Sequence, residues 1–174
     1  MSMPVRRIRT ARVGVGRRPQ RRKLVWATQN SINVALPSGS KNNLDLLGNL
    51  ETAGSSVLGA TVMRTHTVVN LSEANADTGK GVYLGWIVAD APNATNIDPS
   101  TGFGFDWMLL TVLPPELGQS EFLDGTNVRW AREYDLRSKR KIEELAERYF
   151  LCIQNAGSGT VNYSTFTRTL LALP

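Results

Sequence analysis

Few side chains in this sequence could act as a nucleophile, a general base or a metal ligand. There is one histidine, His66, and one cysteine, Cys152, in 174 residues. A hydrolytic triad would need His66 as its base. However, His66 lies in a strand-like run between Arg64 and Val68, where a structural role is more common. Cys152 lies in an apolar run, which predicts a buried and inert thiol. We therefore expect no catalytic residues and predict that the chain is not an enzyme.

Metal and cofactor sites are also unsupported by the residue types. A single cysteine cannot form a cysteine-cluster zinc or iron–sulfur site, and a single histidine cannot form a histidine pair. Glu143, Glu144 and Glu147 form a carboxylate cluster, but arginine and lysine residues are interspersed with them. This pattern indicates an exposed, ion-paired face rather than an acid–base pair or a calcium site. We expect no metal and no cofactor.

The clearest chemical signal is a run of cations at the N-terminus. Residues 1–23 contain nine basic residues and no acid, whereas residues 24–174 contain 11 basic and 15 acidic residues, a net charge of −4. This asymmetry predicts that the segment binds a polyanion. Eight of the nine are arginines, which favours bidentate contacts to phosphate. The predicted nucleic-acid-binding residues are Arg6, Arg7, Arg9, Arg12, Arg17, Arg18, Arg21, Arg22 and Lys23.

The composition of residues 1–23 predicts a disordered arm rather than a helix. Pro4, Gly14, Gly16 and Pro19 interrupt the segment, and its apolar residues lack a 3.6-residue period. We expect nonspecific binding of nucleic acid through counterion release. A transit peptide, a nuclear localisation signal and a solvated tail are the alternatives. The segment has no apolar core of the kind a secretory signal has, and no apolar run approaches the ~20 residues of a membrane helix, so we expect no membrane partner.

A second cluster of cations lies near residue 135. Trp130 and Tyr134 are interleaved with it, and such a mixture can form a groove in which bases stack. The alternative interpretation is that both aromatic side chains belong to the core and the charges face solvent or a neighbouring subunit. The members of this candidate basic patch are Arg129, Arg132, Arg137, Lys139, Arg140 and Lys141.

Residues 24–174 show the pattern of an all-β domain. Short runs of Val, Ile, Thr, Tyr and Trp alternate with clusters of Gly, Pro, Asn, Asp and Ser. About eight or nine strands with almost no helix predict a sandwich, and a mixture of tight turns and long loops favours a single jelly roll. Strands are predicted at Leu24–Thr28, Ile32–Leu36, Leu58–Leu71, Val82–Ala89, Trp107–Leu113, Asn127–Leu136, Glu147–Gln154 and Val161–Leu171.

Three segments carry more specific predictions. Leu44–Leu50 has the mixed leucine spacing of a helical turn. Asp90–Gly104 is rich in proline, glycine and asparagine, which predicts an exposed loop. Residues 138–150 have helical spacing at Ile142, Leu145 and Tyr149, but their neighbours are strand-like, so we favour strand, turn, strand.

A basic arm joined to a β-sandwich without a catalytic set resembles the coat proteins of small icosahedral viruses. The arm motifs are Arg6-Arg7-Ile8-Arg9 and residues 17–23, RRPQRRK. The segments 137–145, RSKRKIEEL, and 168–174, RTLLALP, are similar to sequences in capsid proteins of uncultured small viruses. No specific virus family is identified.

The resemblance implies a fold, a partner and a location. It implies a jelly-roll shell domain at 24–174 that self-assembles into a closed shell of 60 or more copies, with the arm (1–23) on a packaged ssDNA or ssRNA genome. The chain would be found in the virion, and in the host cytoplasm or nucleus during assembly. The alternatives are a structural protein of a tailed phage (tail or head–tail joining) and a cellular β-barrel nucleic-acid-binding protein.

Overall fold

A computed structural model describes residues 22–52, 54, 56–73, 81–90, 96–101, 105–113, 122–124 and 127–174. Nine strands and one short helix lie in this part of the chain. The strands are β1 (Lys23–Leu36), β2 (Lys41–Asp45), β3 (Thr61–Glu73), β4 (Val82–Asp90), β5 (Trp107–Leu113), β6 (Phe122–Asp124), β7 (Asn127–Lys141), β8 (Glu147–Asn155) and β9 (Val161–Leu173); the helix is α1 (Gly48–Thr52). The described part of the chain contains no helix that is long and apolar enough to cross a membrane.

The strands form two antiparallel sheets. One has five strands in the order β1-β9-β3-β7-β6, and the other has four in the order β2-β8-β4-β5. The chain therefore passes repeatedly from one sheet to the other. With the three-residue edge strand β6 set aside, each sheet has four strands in the order of a jelly roll. This confirms the predicted all-β jelly-roll sandwich.

The core lies between the sheets. Trp86 and Tyr149 from the four-stranded sheet and Tyr163 from the five-stranded sheet are among its largest fully buried side chains. The five-stranded sheet also turns a row of buried threonines inward. The Trp86 indole donates a hydrogen bond to Thr67 Oγ1 at 3.3 Å, and the Tyr149 hydroxyl donates to Thr65 Oγ1 at 2.9 Å. Threonine's branched side chain suits a strand, and its hydroxyl satisfies these two aromatic donors.

The predicted face of β3 needs one correction. Thr65, Thr67, Val69 and Leu71 are buried together, as alternation predicts. At the other end, the pairing with both neighbours shifts between Val62 and Arg64. Because of this irregularity the side chain of Val62, predicted to lie on the opposite face, joins the core.

Two other predictions about elements are confirmed. Residues 138–150 form the end of β7, a turn and the start of β8. The Glu147 carboxylate accepts hydrogen bonds from the Glu143 and Glu144 amides at 2.6 and 3.1 Å, so it holds this turn. Val82–Ala89, which looked apolar enough to be buried on both faces, is the interior of β4 and has that burial pattern.

The loop after β4 is not the fully exposed loop that its composition predicts. Ile97 is completely buried, and it packs with Ile87, Phe150 and Cys152 on the outer side of the four-stranded sheet. The Lys41 ammonium donates to the Ile97 carbonyl at 2.9 Å, which holds the loop in place. Trp107 joins this second apolar cluster. The outer face of the four-stranded sheet is therefore covered by the chain's own residues.

Candidate nucleic-acid interface

The predicted arm joins the fold at the edge of the five-stranded sheet. Lys23, the last residue assigned to the arm, is the first residue of β1 and pairs with Leu173 of β9. Arg22 and Lys23 are both exposed. The other seven predicted arm cations, Arg6, Arg7, Arg9, Arg12, Arg17, Arg18 and Arg21, lie outside the described residues. The strand β1 thus starts at the last cation of the run.

The candidate basic patch on β7 does not form one surface. Arg137 pairs with Arg64 in register, and both are exposed on the outer side of the five-stranded sheet. Arg140 pairs with the buried Val62 and so points to the other side, where its guanidinium donates to Asp106 at 2.8 Å. The side chains of Arg137 and Arg140 therefore lie on opposite sides of the sheet.

The remaining members of the patch are distributed along the same strand. Arg132 and Lys139 are exposed, and Lys141 is exposed in register with Thr61. Arg129 pairs with Ser72 through the backbone, and its side chain lies outside the described part of the chain.

Tyr134 is a core residue rather than part of a stacking groove. Its ring centroid lies 5.0 Å from that of Trp86 between the sheets, with the planes tilted by 52°. Burial raises the pKa of the Tyr134 hydroxyl, and the charge of Arg132 offsets part of that rise. For Tyr134 the structure supports the core interpretation. The side chain of Trp130 lies outside the described residues.

The structure places two other aromatic side chains on the surface. Trp26 of β1 and Phe166 of β9 lie on the outer face of the five-stranded sheet, 45% and 42% exposed. The guanidinium carbon of Arg168 lies 4.9 Å from the centroid of the Trp26 ring, a cation–π contact. Sequence reasoning missed these two residues. The only available signal was that Phe166 and Arg168 alternate with the threonines of β9.

Charged side chains continue this face onto β3 and β7. Arg64 forms a two-point ion pair with Asp135, with donor–acceptor distances of 2.7 and 2.8 Å. The hydrogen bond from Arg64 lowers the pKa of Asp135, and the same contact raises the pKa of Arg64. This pair fixes two side chains on the sheet surface.

His66 lies within this charged network. Its cross-strand neighbours are Asp135 and Arg168, and its Nε2 is 3.7 Å from a carboxylate oxygen of Glu133. These contacts are charged side chains on neighbouring positions of the same sheet. That His66 has a structural role, and that the chain is not an enzyme, stay predictions.

Cys152 is fully buried in β8, within the second apolar cluster. Burial raises the pKa of its thiol to about 12, with a small opposing effect from Lys41. At neutral pH the sulfur is therefore a protonated, apolar packing group, as predicted. Among the described residues, no group of histidine, cysteine and acidic side chains has the arrangement of a metal site.

Comparisons with known proteins give no family assignment. No family model matches the chain, and no curated protein matches it. Most of the similar solved structures are coat proteins of small icosahedral viruses.

Three of the similar structures illustrate the range of identity, TM-score and coverage. Turnip yellow mosaic virus is 12% identical, with a TM-score of 0.43, and the match covers 100% of this chain and 90% of that chain. An α-L-arabinofuranosidase is 15% identical, with a TM-score of 0.41, over 78% of this chain and 18% of that chain. The tobacco streak virus coat protein is 13% identical, with a TM-score of 0.37, over 87% and 86%. At these values the likeness adds nothing to what the strand order already establishes about the fold.

Proposed function

We propose that this chain is a viral coat protein that self-assembles into a small icosahedral shell and packages a single-stranded genome through its basic arm. The observation that carries the proposal is the division of charge at the start of the fold. Nine cations and no acids precede Leu24, and the residues after it sum to −4. A compact body with a separate polycationic segment is what packaging requires, because phosphate must be neutralised without sequence preference.

The strand pairing supports the proposed division between arm and body. From Lys23 onward, β1 is paired with β9 up to Leu36, with one shift between Ser31 and Val34. The described core is built from residue 27 onward. This supports a boundary between arm and body near residue 23, and in the proposed function the charges before it bind a polyanion.

Electron microscopy of the purified full chain, mixed with single-stranded nucleic acid, tests the assembly. A uniform population of closed particles is expected. Rings or tubes would instead support the tailed-phage alternative. A protein that stays monomeric at high concentration with nucleic acid present would support the cellular binding protein. Either result overturns the proposal.

The role of the arm is tested by the salt dependence of binding. If all nine cations contact phosphate, the logarithm of affinity for a single strand should fall with the logarithm of salt at a slope of about −6, from about 0.7 per charge. Replacing the seven arginines at positions 6, 7, 9, 12, 17, 18 and 21 by glutamine leaves two arm cations, and the slope should fall to about −1.4.

The matched control replaces the same seven arginines by lysine, which keeps the charge, and it should retain the steep slope. If the glutamine variant binds as tightly as the unmodified chain and with the same slope, the arm is not the binding element.

A further inference from the structure

The two sheets of the sandwich differ in what covers their outer faces. Ile97, Phe105 and Trp107 pack over the four-stranded sheet. On the five-stranded sheet, Trp26 and Phe166 remain almost half exposed, and Leu24 is 61% exposed. The guanidinium of Arg168 lies over the Trp26 ring, but none of the described residues buries these side chains as Ile97 is buried on the other sheet. Apolar side chains left exposed on a sheet face mark an interaction surface.

The register places these residues on one surface. Trp26 pairs with Leu170, which in turn pairs with Arg64 and through it with Arg137. Residues directly opposite one another on neighbouring strands share a face of the sheet. Phe166 lies four residues from Leu170 along β9, so the backbone positions of Phe166 and Trp26 are about 14 Å apart, from strand rise and strand spacing. Two different ligand groups are needed to contact both rings.

The charge of this surface is the opposite of that of the body as a whole. Its described side chains include four cations, Arg64, Arg137, Lys141 and Arg168, and two acids, Glu133 and Asp135, which gives a net charge of +2. The body from residue 24 to 174 sums to −4. The arm, also cationic, joins β1 at the same sheet, only a few residues before Trp26.

We propose that the outer face of the five-stranded sheet binds single-stranded nucleic acid, with one base stacked on Trp26, another on Phe166, and phosphates paired with Arg168, Arg137 and Lys141. Exposed aromatic rings beside cations are how proteins hold single strands without sequence preference, because every base has a π-face. Arg168 stacked over Trp26 holds the indole in one orientation, so less ordering remains to be done on binding. The proposal rests on the function proposed above, in which the arm captures the same strand.

Charge complementarity favours this occupant over the protein's own residues. An isologous contact would place this face, with its net charge of +2, against the same face of a second copy with the same charge. The arm would place nine more cations on a surface that is already positive. A polyanion with stacked bases satisfies both the rings and the charges.

The test compares two probes of equal length and charge on the full chain. One is oligothymidylate, and the other is an abasic sugar–phosphate oligomer that lacks bases. The unmodified chain should bind oligothymidylate at least about 25-fold more tightly than the abasic oligomer, since two bases stack and each contributes a factor of at least about five. Trp26→Ala and Phe166→Ala should each reduce this preference about fivefold and leave abasic binding unchanged.

Two control variants fix the interpretation. Val112→Ala removes a side chain that is 47% exposed on the edge strand of the other sheet, and it should leave the preference unchanged. Trp26→Phe retains a ring and should restore preference relative to Trp26→Ala. Thermal melting tests whether each variant is folded. We expect that it is, because the side chains of Trp26 and Phe166 are partly exposed.

Three results overturn the proposal. In the first, the unmodified chain binds both probes with equal affinity; in the second, the two alanine variants keep the full preference. In the third case, Trp26→Ala keeps the preference but abolishes particle formation, so that the face is a contact between copies of this chain. A failure of the function proposed above looks different, because the abasic oligomer would then not bind the unmodified chain at all.

Discussion

The buried threonines on the inner face of the five-stranded sheet, here called the threonine row, form two groups. In one group the hydroxyl has a hydrogen-bond partner, and in the other it has none among the described residues. Thr65 Oγ1 accepts from Tyr149, and Thr67 Oγ1 lies 3.1 Å from Thr167 Oγ1. The hydroxyls of Thr165 and Thr169 are buried with no hydrogen-bond partner among the described residues. A buried hydroxyl without a partner loses its hydration uncompensated, so the two groups of threonines should respond oppositely to removal of the oxygen.

Thr169→Val should raise the free energy of unfolding by about 1 kcal/mol, because it removes an unpaired buried hydroxyl and keeps the shape of the side chain. Thr65→Val should lower it by about 1–2 kcal/mol, because it leaves the buried Tyr149 hydroxyl without its acceptor. Urea denaturation of both variants measures the difference. Equal effects of the same sign would contradict this account of the row.

A second residue-scale prediction concerns the contact between Gly85 and Trp107. A Cβ at position 85 would lie 2.2 Å from Trp107 Cζ3 and 2.6 Å from Cε3, so the indole lies directly on the glycine. Gly85→Ala should therefore displace Trp107 and cost about 1–3 kcal/mol.

Chemical denaturation and tryptophan fluorescence measure this change. Gly48→Ala is the matched control, since a Cβ there would meet nothing closer than Asp45 Oδ2 at 3.5 Å. Equal stability of the two variants would show that Trp107 does not rest on Gly85 in solution.

At the scale of the elements, Asn155 connects the two sheets. It lies fully buried at the end of β8, and its amide donates to the carbonyls of Leu36 at 2.9 Å and Gly159 at 2.7 Å. Its side-chain oxygen accepts from the Gly157 amide at 2.9 Å. One side chain thus ties the end of β1, the end of β8 and the turn that leads to β9.

Asn155→Ala should lower the free energy of unfolding by about 2–4 kcal/mol, since it removes three hydrogen bonds and leaves buried backbone groups unpaired. Hydrogen exchange should show the largest loss of protection in the 156–160 turn. Asn49→Ala is a suitable control, because Asn49 also bonds a backbone carbonyl, that of Thr28, but is exposed. The prediction is wrong if the two variants are equally stable.

The elements also show what could be predicted from sequence. The turn between β7 and β8 was predictable because its neighbours alternate as strands. The β1 strand was predicted as two segments because Gln29, Asn30 and Ser31 are polar, but pairing with β9 keeps it in the sheet. Burial of Ile97 was not predictable, since it depends on a loop folding onto a distant strand.

The candidate nucleic-acid interface also has one part that could be predicted from the sequence and one part that could not. Nine cations in 23 residues are visible in any reading of the sequence. The Trp26 surface is not, because β1 has apolar residues at both odd and even positions. Only the pairing of Ala27 with Thr169 decides that Ala27 faces the core and Trp26 faces out.

For the whole molecule, the arm's charge should control assembly. Sixty copies, the smallest icosahedral shell, would bring about 540 arm cations into one interior. Without a polyanion these charges repel. At about 1 M salt the screening length falls to about 3 Å, and the repulsion becomes short-ranged.

We therefore expect small oligomers at low salt without nucleic acid, and closed particles on addition of a single strand or of about 1 M salt. Analytical ultracentrifugation measures the distribution. The variant with seven arm arginines replaced by glutamine should form empty particles at low salt. Empty particles of the unmodified chain at low salt would show that arm repulsion does not control assembly.

The pairing of β1 with β9 has a mechanical consequence. Lys23 is the first residue of β1, and within the described part of the chain β1 is paired along one side, by twelve registered pairs to β9. A pull on the arm along the axis of β1 loads all of those pairs together, as in shear. A pull away from the sheet loads the pair of Lys23 and Leu173 first, and β1 then separates from β9 one pair at a time. The direction from which a bound nucleic acid pulls on the arm thus determines how much force the pairing of β1 with β9 withstands.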